Sequence, residues 1–84
     1  MLRPTMKIEV YAQSFCPFCR AAVELLESRD IPFTHHQMDG RDAELAEKKR
    51  EYGHGTIPIV IVDGELIGGY QELLQLENAG KLTA

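Results

Sequence analysis

Lys7-Ile8-Glu9-Val10-Tyr11-Ala12-Gln13-Ser14-Phe15-Cys16-Pro17-Phe18-Cys19-Arg20 passes from a strand pattern into a helix pattern across one short loop. Residues 7–11 are rich in β-branched and aromatic side chains, which fit a pleated, half-buried surface. Ala12 to Phe15 read as the loop. Pro17 suits the first helical position, where its missing N–H would be unpaired in any case. Beyond it Phe18, Ala22, Leu25, Leu26 and Arg29 recur at three- and four-residue spacing, with Glu24, Glu27 and Ser28 off the stripe. The spacing predicts an amphipathic helix that ends near Asp30, ahead of Pro32.

Working outward, Phe33–Met38 is a weaker strand whose polar Thr34, His35, His36 and Gln37 suit a sheet edge. Asp42 opens a second helix through Tyr52, closed by Gly53. Ile59-Val60-Ile61-Val62 is a continuous apolar run, the pattern of a strand covered on both faces. Asp63-Gly64 is a two-residue hairpin signal that returns through Glu65-Leu66-Ile67. After Gly68-Gly69 a last helix runs from Tyr70 to Ala79 and stops at Gly80. The predicted order is β-α-β-α-β-β-α, an α/β arrangement with a parallel first strand pair and an antiparallel last pair.

The chain has 84 residues, a length expected to form one domain over 1–84 with residues 1–5 as a frayed extension and Met6 as an alternative start. Hydrophobic residues make up 44% and charged residues 26%, a globular profile. The net charge of −4 argues against nucleic acid or an anionic membrane as the main partner. No apolar run reaches the ~20 residues of a membrane helix, and the first residues lack a signal-peptide core. Two cysteines are too few to staple a secreted scaffold. The expectation is a small, acidic, soluble, cytoplasmic protein.

Those two cysteines sit three apart, at the start of a helix. Unpaired N–H groups and the positive end of the helix dipole face Cys16, a setting that favours thiolate over thiol. A thiolate attacks disulfides, and Cys19, one turn on, is near enough to displace the first product. Cys16 is therefore the expected nucleophile and Cys19 the resolving thiol, with Pro17 stiffening the ring they would close. Zinc is the competing chemistry, since Cys16, Cys19 and two of His35, His36 and His54 supply four ligands in number. No second Cys-x-x-Cys or His-x₃₋₅-His completes a zinc pattern, so the strand–loop–helix setting favours redox.

Two further motifs are softer. Thr56-Ile57-Pro58 precedes the buried strand, and a cis proline there would turn the Ile57 backbone outward; frequencies alone favour trans. Gly68-Gly69-Tyr70-Gln71-Glu72 lets a carboxylate approach the first N–H groups of a helix, although an ordinary turn and cap is the commoner meaning. Lys48-Lys49-Arg50 reads as a solvated helix face, His35 and His36 as exposed, and Tyr11, Leu25, Leu26, Val60 and Val62 as core.

Cys16-Pro17-Phe18-Cys19, Thr56-Ile57-Pro58, the Asp63-Gly64 hairpin, Gly68-Gly69-Tyr70-Gln71-Glu72 and Gly80-Lys81-Leu82 together resemble a dithiol glutaredoxin of the thioredoxin-fold superfamily, over Lys7 to Leu82. The resemblance implies a thioredoxin-like, four-stranded mixed sheet flanked by three helices, with Pro58 cis. It implies a monomer with no permanently bound cofactor, glutathione as electron donor, and glutathionylated or disulfide-bearing proteins as partners. Cys16 and Cys19 would be catalytic, and Gln13, Phe18, Thr56, Ile57, Pro58, Gly69, Tyr70, Gln71 and Glu72 would hold glutathione. In particular, the Ile57 backbone would pair with its cysteinyl part, the Gln71 and Glu72 N–H groups would hold its γ-glutamyl carboxylate, and the Glu72 side chain would meet its amino group. The chain departs from the family in having Phe18 for a frequent tyrosine, Gln13 for a frequent lysine and Glu72 for the usual aspartate; Arg50 or His54 would supply the missing cation. Two alternatives are a redoxin recharged by thioredoxin reductase and a glutathione-bridged iron–sulfur carrier, which Pro17 hinders.

Overall fold

Period-two alternation puts Ile8, Val10 and Ala12 on one face of the first strand and Tyr11 on the other, and two cores form accordingly. A computed structural model describes residues 7–81. The frayed extension expected at residues 1–5, and Leu82 of the closing motif, lie outside the described residues. In chain order the elements are β1 (Ile8–Ala12), α1 (Pro17–Ser28), β2 (Thr34–Gln37), α2 (Asp42–Tyr52), β3 (Ile59–Val62), β4 (Glu65–Gly68) and α3 (Tyr70–Asn78). The β-α-β-α-β-β-α order is borne out.

The sheet has the order β2-β1-β3-β4, with β1 and β2 parallel, β3 antiparallel to β1, and β4 antiparallel to β3. β2 is an edge strand, as its polar sequence requires. β1 runs on through Ala12, where the loop was expected to begin, because Ala12 pairs with Gln37 of β2. All of β3 is buried, as a continuous apolar run should be. Asp63 and Gly64 both have positive φ, 52° and 83°, the backbone of a tight hairpin turn that matches strand twist.

One core holds Ile8, Val10, Cys19, Ala22, Leu26, Val60, Val62 and Leu73, between the sheet and α1 and α3. The other holds Tyr11, Met38, Leu45, Ile59 and Ile61, on the α2 side. Leu25 packs on the first core without being fully buried. The buried row of α1 is Cys19, Ala22 and Leu26, so Phe18 falls off it. Phe18 is 60% exposed, with the Tyr70 ring beside it at 6.2 Å, and does not belong to the apolar stripe where the sequence put it. His36 also differs from expectation. Parallel register sets it beside Tyr11, whose ring it stacks on at 4.3 Å, and its Nε2 lies 3.0 Å from Glu9 Oε1, so it is half-buried.

Two helix ends shape the site. Gly53, at φ 65°, stops α2 and turns the chain toward Thr56-Ile57-Pro58. Gly68 stands at φ +126° with the Glu72 side chain folded against it, and a Cβ there would come within 2.7 Å of Glu72 Cγ. Glu72 Oε1 accepts the Gly69 N–H at 2.8 Å, closing the first turn of α3. Gly68→Ala is therefore expected to lower stability by about 1–3 kcal/mol, from backbone strain and displacement of Glu72. Urea unfolding checks this; an unchanged midpoint would remove the constraint at Gly68.

Candidate active site

Cys16 is the residue that starts α1. Its backbone is extended, at φ −95° and ψ 117°, and its Sγ accepts the Cys19 N–H at 3.3 Å while its C=O accepts the Arg20 N–H at 3.1 Å. The sulfur thus satisfies a donor that the helix geometry leaves unpaired. On its other side Sγ lies 3.9 Å from the Ile57 carbonyl oxygen, to which the thiol donates. The Ile57–Pro58 peptide is cis, as the resemblance implied.

The loop before Cys16 is anchored at successive residues. The Cys16 N–H donates to Gln13 O at 3.2 Å. Ser14 donates through its N–H to Asp39 Oδ1 at 2.9 Å and through its hydroxyl to Asp39 Oδ2. Gln37 Nε2 donates to the same carboxylate at 2.8 Å. These donors, the Ser14 hydroxyl foremost, hold the Asp39 carboxyl below its ordinary pKa. Nothing near Asp39-Gly40 in the sequence signals this partnership, which joins residues 25 apart.

Cys19 is 1% exposed and faces the core. Burial, with the Cys16 side chain beside it as the second cause, pushes its thiol up to about 12, against a smaller opposing effect of the Gln13 backbone. Two thiols therefore sit one turn apart in unlike settings, one accessible and one buried and protonated. Such a pair is suited to exchange with a disulfide in which the accessible sulfur reacts first.

Beside Cys16 lies an open groove of about 350 Å³, lined by Phe18, His54, Thr56, Ile57, Pro58, Gly69, Tyr70, Gln71 and Glu72. It brings together every residue expected to hold glutathione except Gln13. Gln13 is buried, and its amide donates to Met38 O at 3.3 Å and Asp42 Oδ1 at 3.1 Å. It lines a separate cleft with Cys19, Arg20 and His35, so its side chain is committed to tying the loop to α2. The Glu72 carboxyl is held below its ordinary range chiefly by the Gly69 N–H, with a smaller contribution from His54. His54 lies within the groove, its Nε2 3.3 Å from Thr56 Oγ1. Arg50 does not line it. The histidines do not gather on the cysteines: among the described residues no cluster of three or more His, Cys, Asp or Glu could hold a metal ion. Among the same residues no helix is long and apolar enough to cross a membrane.

The family model described as glutaredoxin matches residues 8–67. A probable glutaredoxin of Synechocystis is 38% identical over 77 residues, covering 90% of this chain and 88% of its own. Glutaredoxin 3 of Escherichia coli is 33% identical over 75 residues, covering 89% and 90%. The fold of a buckwheat glutaredoxin, solved as its glutathione complex, matches with a TM-score of 0.81 at 24% identity, over 92% of this chain and 73% of that one.

Three outcomes follow from the geometry. Between pH 7 and 9 the reduced native protein should take one equivalent of iodoacetamide, at Cys16, with Cys19 slower by on the order of 10²–10³; in denaturant both should react. Peptide mapping checks this, and native labelling of Cys19 would contradict its burial and protonation. The folded chain keeps a Cys19 proton that the unfolded chain releases near pH 9, so this thiol should lower stability as pH rises from about 9 toward 12 and leave it unchanged below. In the loop, Asp39→Ala should raise Ser14 amide exchange by about tenfold or more, measured by NMR; unaltered protection would show that Asp39 does not anchor it.

Proposed function

The chain belongs to the glutaredoxin family and is a thiol–disulfide oxidoreductase, and from that premise we propose that it takes its electrons from glutathione, as a cytoplasmic, monomeric, single-domain enzyme (residues 1–84) acting on glutathionylated and disulfide-bonded proteins. The observation that carries this reading is the groove that opens beside Cys16 and ends on the first turn of α3. Glutathione offers two carboxylates, an ammonium and two amides. The γ-glutamyl carboxylate suits the N–H groups of Gln71 and Glu72 in the first turn of α3, where Gly69 brings no side chain of its own. The Glu72 carboxylate suits the ammonium. The Ile57 backbone suits the cysteinyl amide, which sets the glutathione sulfur toward Cys16. The glutathione complex of the buckwheat neighbour supports the choice of ligand.

In the proposed cycle the Cys16 thiolate attacks the glutathione sulfur of a mixed disulfide. A bond forms between those sulfurs, the old S–S bond breaks, and the protein's cysteine leaves with the electron pair and takes a proton from water. A second glutathione then attacks the Cys16–glutathione disulfide, freeing Cys16 and leaving oxidised glutathione. With a protein disulfide as substrate, Cys19 resolves the mixed disulfide by bonding to Cys16. This closure requires the buried Cys19 to give up its proton, and the substrate sulfur leaves with the electron pair of the broken bond.

A coupled assay with NADPH, glutathione and glutathione reductase tests the reading. Cys16→Ser should reduce turnover of a glutathionylated substrate by about 10³ or more. Cys19→Ser should stay within a few-fold of the parent there, yet lose reduction of protein disulfides. Turnover with thioredoxin reductase and none with glutathione would overturn the proposed donor.

A further inference from the structure

Among the described residues, Phe15 and Phe18 are the large apolar side chains left exposed, at 73% and 60%, and Cys16 stands between them in sequence. Phe18 has a place, since it lines the groove beside Tyr70. Phe15 lines neither that groove nor the cleft on the Cys19 side. It is not a loose loop tip. Ser14 is bound twice to Asp39, the Gln13 amide is bound to Met38 and Asp42, and Cys16 is held through its N–H and its sulfur. The anchored backbone thus holds an exposed phenyl ring on the residue that precedes the reacting cysteine.

Exchange at sulfur is an in-line displacement: the attacking, central and leaving sulfurs approach a straight line. Glutathione in the groove fills one flank of Cys16. The polypeptide that carries the leaving sulfur must then rest outside that groove, and Phe15, which precedes Cys16 in the chain and lines no part of the groove, is the exposed apolar side chain available to it. We propose that Phe15 is the docking platform for that polypeptide and selects glutathionylated cysteines flanked by aromatic or aliphatic residues. This inference rests on the glutathione reading above. Phe15 takes no part in the electron flow: the Cys16–glutathione bond forms, the glutathione–substrate bond breaks, and the substrate sulfur leaves with the electron pair. The ring supplies contact area at low entropic cost, with ring-on-ring preference where the partner residue is aromatic.

The test compares kcat/KM on three glutathionylated substrates: a short peptide with Phe and Leu beside its cysteine, the same peptide with serines there, and the cysteine–glutathione mixed disulfide. The parent protein should prefer the first. Phe15→Ser should lower that value by about tenfold and leave the other two within about twofold. Phe15→Leu should retain most of the preference. An equal loss on all three substrates would mean that Phe15 supports the loop and does not dock the partner. No loss on any, or a parent without preference, would also overturn the proposal. A parent unable to transfer glutathione from any of the three would overturn the glutathione reading, and this inference with it.

Discussion

The sulfur of Cys16 occupies the position where most helices place a hydroxyl or carboxylate oxygen: it accepts the Cys19 N–H and so caps α1. The helix end and the reactive group share one atom. This constraint fixes the rest of the pair. Pro17 takes the first helical position, where no N–H is needed, and Cys19 takes the third, where the same turn carries its side chain into the core with Ala22 and Leu26. The contrast between an accessible thiol and a buried, protonated one arises from helix geometry.

The remainder of the fold delivers backbone to that sulfur. β1 ends beside the loop that leads to Cys16, β3 begins just after Ile57 and Pro58, and α3 starts at Tyr70, so three elements meet at one end of the sheet. Anchoring comes from across the chain: Asp39 and Asp42, after β2, hold Ser14 and Gln13, before α1. Much of the groove is main chain and helix terminus, which depends little on side-chain identity. Phe18 and Glu72, the two groove positions where the sequence departs from the pattern its resemblance implied, stand within that frame. Glu72 is long enough to fold back onto Gly69 and cap α3 itself.

What was legible in the sequence divides along physical lines. Local signals were reliable: the apolar run of β3, Asp63-Gly64 at the hairpin, Gly53 at the end of α2 and Pro17 at the start of α1 each act within a few residues, and each element lies where its signal put it. The cysteine pair was legible for the same reason. Features that depend on register or long-range partners were not. His36 is half-buried because parallel pairing with β1 sets it on Tyr11, which its polar neighbours in β2 could not reveal. Gln13 was assigned to the groove by position in a motif, yet Asp42, 29 residues on, claims its amide. Phe18 matched a helical stripe but lies one residue outside the buried row.

The most direct test is to trap the first covalent intermediate. Reduced Cys19→Ser protein, mixed with one equivalent of a glutathionylated peptide and quenched with acid, would be digested and mapped by mass spectrometry. The expected result is glutathione in disulfide linkage to Cys16, with the peptide released as a free thiol. Peptide in place of glutathione on Cys16, or glutathione transferred to neither, would contradict the proposed role of the capping sulfur and the groove beside it.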